Sequence, residues 1–289
     1  MIWELLVEPF AAYGFMRRAL IGCVAISVGA TPIGVFLMLR RMSLTGDAMA
    51  HAILPGAAIG YLIAGLSLTA MTVGGLIAGM AVALFSGFVS RATPLREDAS
   101  LAAFYLISLA AGVLIVSMRG SNVDLMHVLF GTVLALDDAA LILLCTIASV
   151  TALVLAVMFR PLVLECADPQ FLRSVSGLSA VTHFTFLALA VLNLVGGFHA
   201  LGTLMIVGIM ILPAATARFW AKTIGDMIMV AVLVAIGASL CGLLLSYHHG
   251  LPSGPAIILS AGVAYALSLV LGPVGGLAMG AQAKTTTNP

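Results

Sequence analysis

Read for hydropathy, the chain is a succession of long apolar runs separated by short polar intervals. Nine runs stand out, near residues 18–39, 47–66, 69–90, 99–118, 137–159, 179–197, 199–217, 227–247 and 255–273. Each is continuously apolar rather than alternating, which excludes the two-residue repeat of a membrane β-barrel and predicts helices. The runs have about the 20-residue length that crosses a hydrocarbon core. The predicted fold is therefore all-α, a polytopic membrane protein with about nine transmembrane helices, or eight if one run does not cross. Only Gly196-Gly197 divides the sixth run from the seventh, so that boundary is soft. The stretch from 119 to 136 is short and mixed and reads as an interfacial or re-entrant piece.

The ends read differently. Residues 1–17 carry Trp3, Phe10, Tyr13 and Phe15 with Glu4 and Glu8, which suits a segment lying along the membrane surface. No basic stretch precedes the first apolar run, so the pattern is not that of a cleaved signal peptide. Residues 18–275 form the membrane domain, and 276–289 read as a polar, disordered tail.

Composition fixes the class. The chain is 62% hydrophobic and 8% charged over 289 residues. A soluble domain carries roughly 25% charge, whereas lipid tails accept bare Leu, Val, Ile and Ala. The net charge of +1 implies no nucleic-acid or acidic partner. Cys23, Cys145, Cys166 and Cys241 are scattered and suggest neither a disulfide framework nor a thiolate cluster.

Loop charge sets the orientation. If the loop after the fifth run is cytoplasmic, that side holds Arg40, Arg41, Arg91, Arg96, Arg160, Arg173, Arg218, Lys222 and Lys284, against Arg17, Arg18 and Arg119 outside. The opposite orientation inverts this excess. Nine spans with the N-terminus outside is the preferred topology, with Arg17 and Arg18 as its weak point. Gly56/Gly60 and Gly75/Gly79 are spaced as GxxxG, which predicts close helix packing.

The chemistry concentrates in RRMSLTGDAMAHAILPGAAIG, residues 40–60. Asp47 and His51 are four apart, which on a helix places them one turn from each other on one face. A carboxylate and an imidazole so placed suit one divalent ion. The alternatives are a structural Asp–His hydrogen bond, or Asp47 as a helix N-cap after Thr45-Gly46. Pro55-Gly56 follows one turn later and predicts a helix break that frees a carbonyl near the same face. In the interval 160–178, Asp168 can N-cap a short helix with Pro169 at its first position. That helix would carry Phe171, Leu172 and Val175 on one side and Arg173 near its end, a shape suited to docking in a partner's groove. No Gly-Lys dipeptide occurs, so the chain has no P-loop. HExxH and GxSxG are also absent.

Residues 40–56 resemble the zinc/manganese/iron class of ABC permeases, whose pattern reads roughly RRMSLIGDALSHAVLPG. NLVGGFHALGTLMIVGIMILPAATARFW, residues 193–220, is similar to that family's GxxALGTLLxxALLxxPAATA, and SGPAIIL at 253–259 is a third match in the same order. The resemblance covers essentially the whole chain. It implies a type II ABC importer-like permease of the bacterial cytoplasmic (inner) membrane, working as a homodimer. The expected partners are cytoplasmic ATP-binding subunits, which hold ATP and Mg, and an extracytoplasmic metal-binding protein. The chain itself binds no cofactor and is not an enzyme.

Carried over, the resemblance implies that Asp47 and His51 contact the metal in transit, and that the 168–178 helix couples to the ATPase. Asn193 is a weaker ligand candidate, balanced by an interhelical hydrogen bond. His199 departs from the family's GFQALG and is either an added ligand or a helix-end residue. His127, His248 and His249 fall on the predicted outer side and tilt the expected cargo toward zinc, with manganese or iron as alternatives. A proton-coupled secondary carrier, or a receptor that transports nothing, are the rival functions.

Overall fold

In the computed structural model the described residues are 3, 6–65, 67–118, 133–274 and 276, with backbone alone at 116–118 and 199. They form helices α1 (Glu8–Ala12), α2 (Gly14–Leu39), α3 (Thr45–Ala64), α4 (Leu68–Ala92), α5 (Glu97–Met118), α6 (Asp138–Ala167), α7 (Pro169–Val175), α8 (Leu178–Leu201), α9 (Thr203–Ala217), α10 (Ile224–His249) and α11 (Ser253–Leu271), with one 3₁₀ turn at Val133–Ala135. No strand occurs among the described residues. Residues 119–132, His127 among them, and the tail from 277 lie outside them.

Eight helices, α2 to α6, α8, α10 and α11, are long and apolar enough to cross a membrane. The seventh apolar run, 199–217, gives only the 15-residue α9, about 22 Å at 1.5 Å per residue. The reason lies at Gly202, whose φ of +81° ends α8 and whose N–H bonds the Phe198 carbonyl. Residues 199–201 thus belong to α8, and the glycine supplies the left-handed turn that other residues resist. A full span is not required of α9, because it lies within protein. Met205, Ile206, Ile209 and Met210 are buried, Thr31 Oγ donates to the Ile209 carbonyl at 3.3 Å, and Gly34 abuts the Met210 carbonyl.

The chain still reverses direction at α9, so loops that share a side can be identified. Arg40, Arg91 and Glu165 meet, which brings together the ends of α2, α4 and α6. The Val274 N–H donates to the Phe219 carbonyl and Trp220 Nε1 to Ser268 Oγ, which joins the end of α11 to the α9–α10 turn. The basic intervals fall on the cytoplasmic side by the positive-inside bias. The outer pair that conflicted with this count is partly neutralised, since Arg18 Nε lies 2.9 Å from Asp138.

Two expected boundaries move. α6 does not stop at 159 but runs to Ala167 through Pro161, so the interval read as a loop from 160 begins as helix. Leu162 and Glu165 are buried there and hold the last two turns against the body. α2 starts at Gly14 rather than 18 and is the most buried of the spans. It contacts α6, α8, α9 and α10.

The glycine spacing does pack helices. Gly56 sits against the Gly74 carbonyl and Gly60 against the Ala70 carbonyl, so α3 and α4 touch backbone to backbone, while Gly75 and Gly79 receive Ile53 of α3. A methyl group at Gly56 meets main chain that cannot step aside. Gly56→Ala is therefore expected to cost about 1–3 kcal/mol and to lower the thermal unfolding midpoint of the protein in detergent. Gly225→Ala, where nothing lies within 4 Å, should leave it unchanged or slightly higher.

Candidate functional site

α3 begins at Thr45 with Leu44 in the N-cap position, so Asp47 is the third helical residue and not the cap. Its carboxylate lies in the first turn, where free N–H groups and the helix dipole favour negative charge. His51 follows one turn later on the same face, with Nε2 3.7 Å from Asp47 Oδ1. That separation is longer than a hydrogen bond. The side chains are 63% and 32% exposed on the single chain, so the pair opens outward and is not locked in the core.

The depth of the pair follows from helix register. α3 and α4 are antiparallel, with Gly56 beside Gly74 and Gly60 beside Ala70. Asp47 then stands level with residue 83, nine residues or about 13 Å inside the cytoplasmic end of α4. The neighbouring α5 runs parallel to α3, with Ser108 donating to the Ala52 carbonyl and Gly112 beside Pro55. By that register Asp47 lies about 9 Å inside the start of α5.

The expected break at Pro55-Gly56 does not end the helix, which is continuous from Thr45 to Ala64. Pro55 is buried and packed by the neighbouring α5 glycine, which leaves the helix no room to part. Its missing N–H still leaves one carbonyl without its usual partner, that of residue i−4, and here that residue is His51.

The remaining ligand candidates separate from this pair. Asn193 is buried, and its Nδ2 donates to Thr151 Oγ and the Leu189 carbonyl, both at 2.8 Å. Its Oδ1 faces Gly29. It is a joint between α6, α8 and α2. His199 lies in the last turn of α8, with its side chain outside the described residues. His248 and His249 end α10 before Gly250, which has a φ of +63°, and the His248 ring stands against Tyr247. Among the described residues no three His, Cys, Asp or Glu side chains gather into a metal cluster.

The short cytoplasmic helix forms as its sequence dictates. Asp168 Oδ1 accepts from the N–H groups of Gln170 at 3.0 Å and Phe171 at 2.9 Å, and Pro169 occupies the first turn. Leu172 is buried and pins α7 to the body. Phe171 and Val175, one turn apart, face outward at 51% and 66% exposure, so Leu172 does not share their face as expected.

A buried ionic joint next to α7 escaped the sequence reading. Glu165, 1% exposed, lies 3.8 Å from Arg40 and 3.6 Å from Arg91. Arg40 Nη2 donates to His183 Nδ1 at 2.8 Å. A guanidinium only donates, so the ring proton is on Nε2, which stands 3.1 Å from Glu97. Arg40 and Arg91 also lie over the rings of Phe186 and Phe184. The signal was present: Glu97 and Glu165 end apolar runs on the same side as Arg40 and Arg91.

Residues 12–272 match the ABC 3 transport family. The chain belongs to that family. It is thus a membrane-spanning permease of the metal-ion ABC transporter type, a multi-pass protein of the bacterial cytoplasmic membrane. It is 31% identical over 273 residues to the manganese transport system membrane protein MntC of Listeria innocua, covering 94% of this chain and 96% of that one. It is 28% identical over 270 residues to the chelated iron transport system membrane protein YfeD of Yersinia pestis, covering 93% and 89%. Among solved structures it superimposes on a chain of PsaBC from Streptococcus pneumoniae in complex with Fab. The TM-score is 0.82 at 28% identity, covering 95% of this chain and 98% of that one. In this permease, as in any apolar bundle, a buried charge left without its partner is costly. Glu165→Ala strands two guanidinium groups and should destabilise the protein by about 3–5 kcal/mol, read as a lower unfolding midpoint in detergent.

Proposed function

We propose that this chain is the permease subunit of an ATP-driven importer of Mn²⁺ or Fe²⁺, with Asp47 and His51 as the residues that meet the ion in transit. One observation carries the reading: a carboxylate and an imidazole share an outward-opening helix face well inside the cytoplasmic ends of the neighbouring helices. A charged side chain facing lipid at depth costs about 2.5–3.5 kcal/mol even on insertion scales. A face that presents Asp47 therefore suits an aqueous path or a second protein surface.

Two ligands from one chain are too few to enclose a divalent ion. Two copies of the permease facing each other supply two carboxylates and two imidazoles, a mixed oxygen and nitrogen set that suits Mn²⁺ or Fe²⁺. Few and open ligands also suit passage, since a transit site must release what it binds. The tilt toward zinc loses its support. It rested on outer histidines, of which the described ones join no ligand cluster, and the relatives named above carry manganese and iron in their names.

ATP is hydrolysed in a cytoplasmic partner, because this chain has no P-loop. α7 is the element suited to receive that partner. Its outward Phe171 and Val175 fill a groove while buried Leu172 passes the motion to α6 and α8. An extracytoplasmic metal-binding protein delivers the ion, and the two permease copies alternate between outward and inward openings.

In cells lacking other manganese importers, Asp47→Ala and His51→Ala should each reduce radioactive manganese uptake more than about tenfold, equivalent to about 1.4 kcal/mol of lost stabilisation. Because both side chains project from the core, membrane levels and unfolding midpoints should stay at wild type. Uptake at the wild-type rate in either variant would remove the pair from the path.

A further inference from the structure

We propose that Arg41 is an electrostatic docking residue for an acidic side chain of the cytoplasmic ATP-binding subunit, seated in a cleft beside α7. The proposal rests on the reading that this permease works with such a subunit, and it adds a contact separate from α7 itself.

The first observation is conformational. Arg41 has a φ of +59°, and no other non-glycine residue among those described has a positive φ. The local bonds explain the geometry. The Arg41 N–H reaches the Met38 carbonyl at 3.1 Å, and the Met42 N–H reaches the Leu37 carbonyl at 2.8 Å. This is the paired closure that ends a helix with a left-handed residue, the position where glycine is most at ease. A long side chain there is held against the backbone's preference, and such outliers point to a role for the side chain.

The second observation is electrostatic. Arg41 lines a cleft of about 420 Å³ with Arg40, Arg96, Asp98, Glu165 and Pro169, the first residue of α7. The acids in this cleft are already engaged. Asp98 lies 3.3 Å from Arg96, Glu165 is shared by Arg40 and Arg91, and Glu97 faces His183. Arg41 is exposed, and its guanidinium pairs with no carboxylate among the described residues. Arg40, with only 9% of its side chain exposed, keeps Nη1 buried without a partner.

Among the described residues the cleft thus offers one free cation, Arg41, while each of its acids already has a basic or imidazole neighbour. A carboxylate from outside pairs with Arg41. The cleft opens on the cytoplasmic face and is continuous with the start of α7, so the carboxylate belongs to whatever docks on α7. That is the ATP-binding subunit.

The test uses the permease in lipid nanodiscs, with its ATP-binding subunit titrated in. Arg41→Gly removes the charge and relaxes the turn, so the permease alone should unfold at the wild-type temperature or higher. The same variant should bind the ATP-binding subunit at least about tenfold more weakly, the loss expected when one member of a charge pair is removed. Arg41→Lys, which keeps the charge, should recover most of that affinity, and raised salt should weaken the wild-type complex toward the glycine variant. Unchanged affinity in Arg41→Gly overturns the proposal. So does a dependence on Arg41 that appears only as binding of anionic lipid, which would make the residue a headgroup contact. A wild-type permease that binds no ATP-binding subunit defeats the functional reading itself, a result distinct from an intact complex that ignores Arg41.

Discussion

Hydrocarbon tolerates charge only where something answers it, and this constraint organises the molecule. The described chain keeps its helical surface almost free of ionisable groups and gathers the exceptions at the helix ends and on one face of α3. At the helix ends the answer comes from within, as Arg40, Arg91, Glu165, Glu97 and His183 neutralise one another across five helices. Among the described residues Asp47 and His51 find only each other, at 3.7 Å, and the rest of both groups stays open. A bilayer protein keeps an incompletely answered carboxylate where water, an ion or another protein completes it.

Glycine makes this arrangement possible. α3 can carry polar groups because its opposite side is fastened to α4 through main-chain contact at Gly56 and Gly60, so little side-chain packing is needed there. α2 is held in the same way, with Gly29 against Ala148 and Gly34 against the Met210 carbonyl. Without a hydrophobic drive between helices, such close approach is what holds a membrane bundle together. Side chains that would otherwise serve as packing are then free for other purposes.

The helices, their number to within one and the membrane class were legible because each depends on local hydropathy. The α7 cap was legible because Asp168-Pro169 acts on its immediate neighbours. What the sequence did not reveal depends on contacts distant along the chain. The shortness of α9 follows from a left-handed turn at Gly202 and from burial against α2. Pro161 failed to end α6 because Leu162 and Glu165 are held by other helices. Pro55 likewise sits in an unbroken helix, packed by Gly112. His183 had no meaning in isolation and acquired one only when Arg40, 143 positions away, reached its ring. The spacing of Asp47 and His51 was legible because four residues on a helix is a local fact, whereas their openness is a property of the surrounding bundle.

The eight residues from Arg40 to Asp47 link the buried charges to the open pair on α3. Arg40 is fixed in the buried joint, Arg41 is turned outward by a left-handed backbone, and Asp47 stands in the first turn of the next helix. Gly46 fits against Met210 of α9 and Leu37 of α2, so the turn cannot move without moving the helix it starts. The joint that anchors Arg40 includes Glu165, three residues before the cap of α7. A displacement applied at α7 therefore has a short mechanical route to Asp47: through the last turn of α6, across the Glu165–Arg40 pair, and along a tight turn with no slack. The contacts of Glu165 with its arginines, at 3.6 and 3.8 Å, are longer than hydrogen bonds, and one of its oxygens has no partner. Under the proposed function, this joint lies on the route by which motion at α7 would reach Asp47.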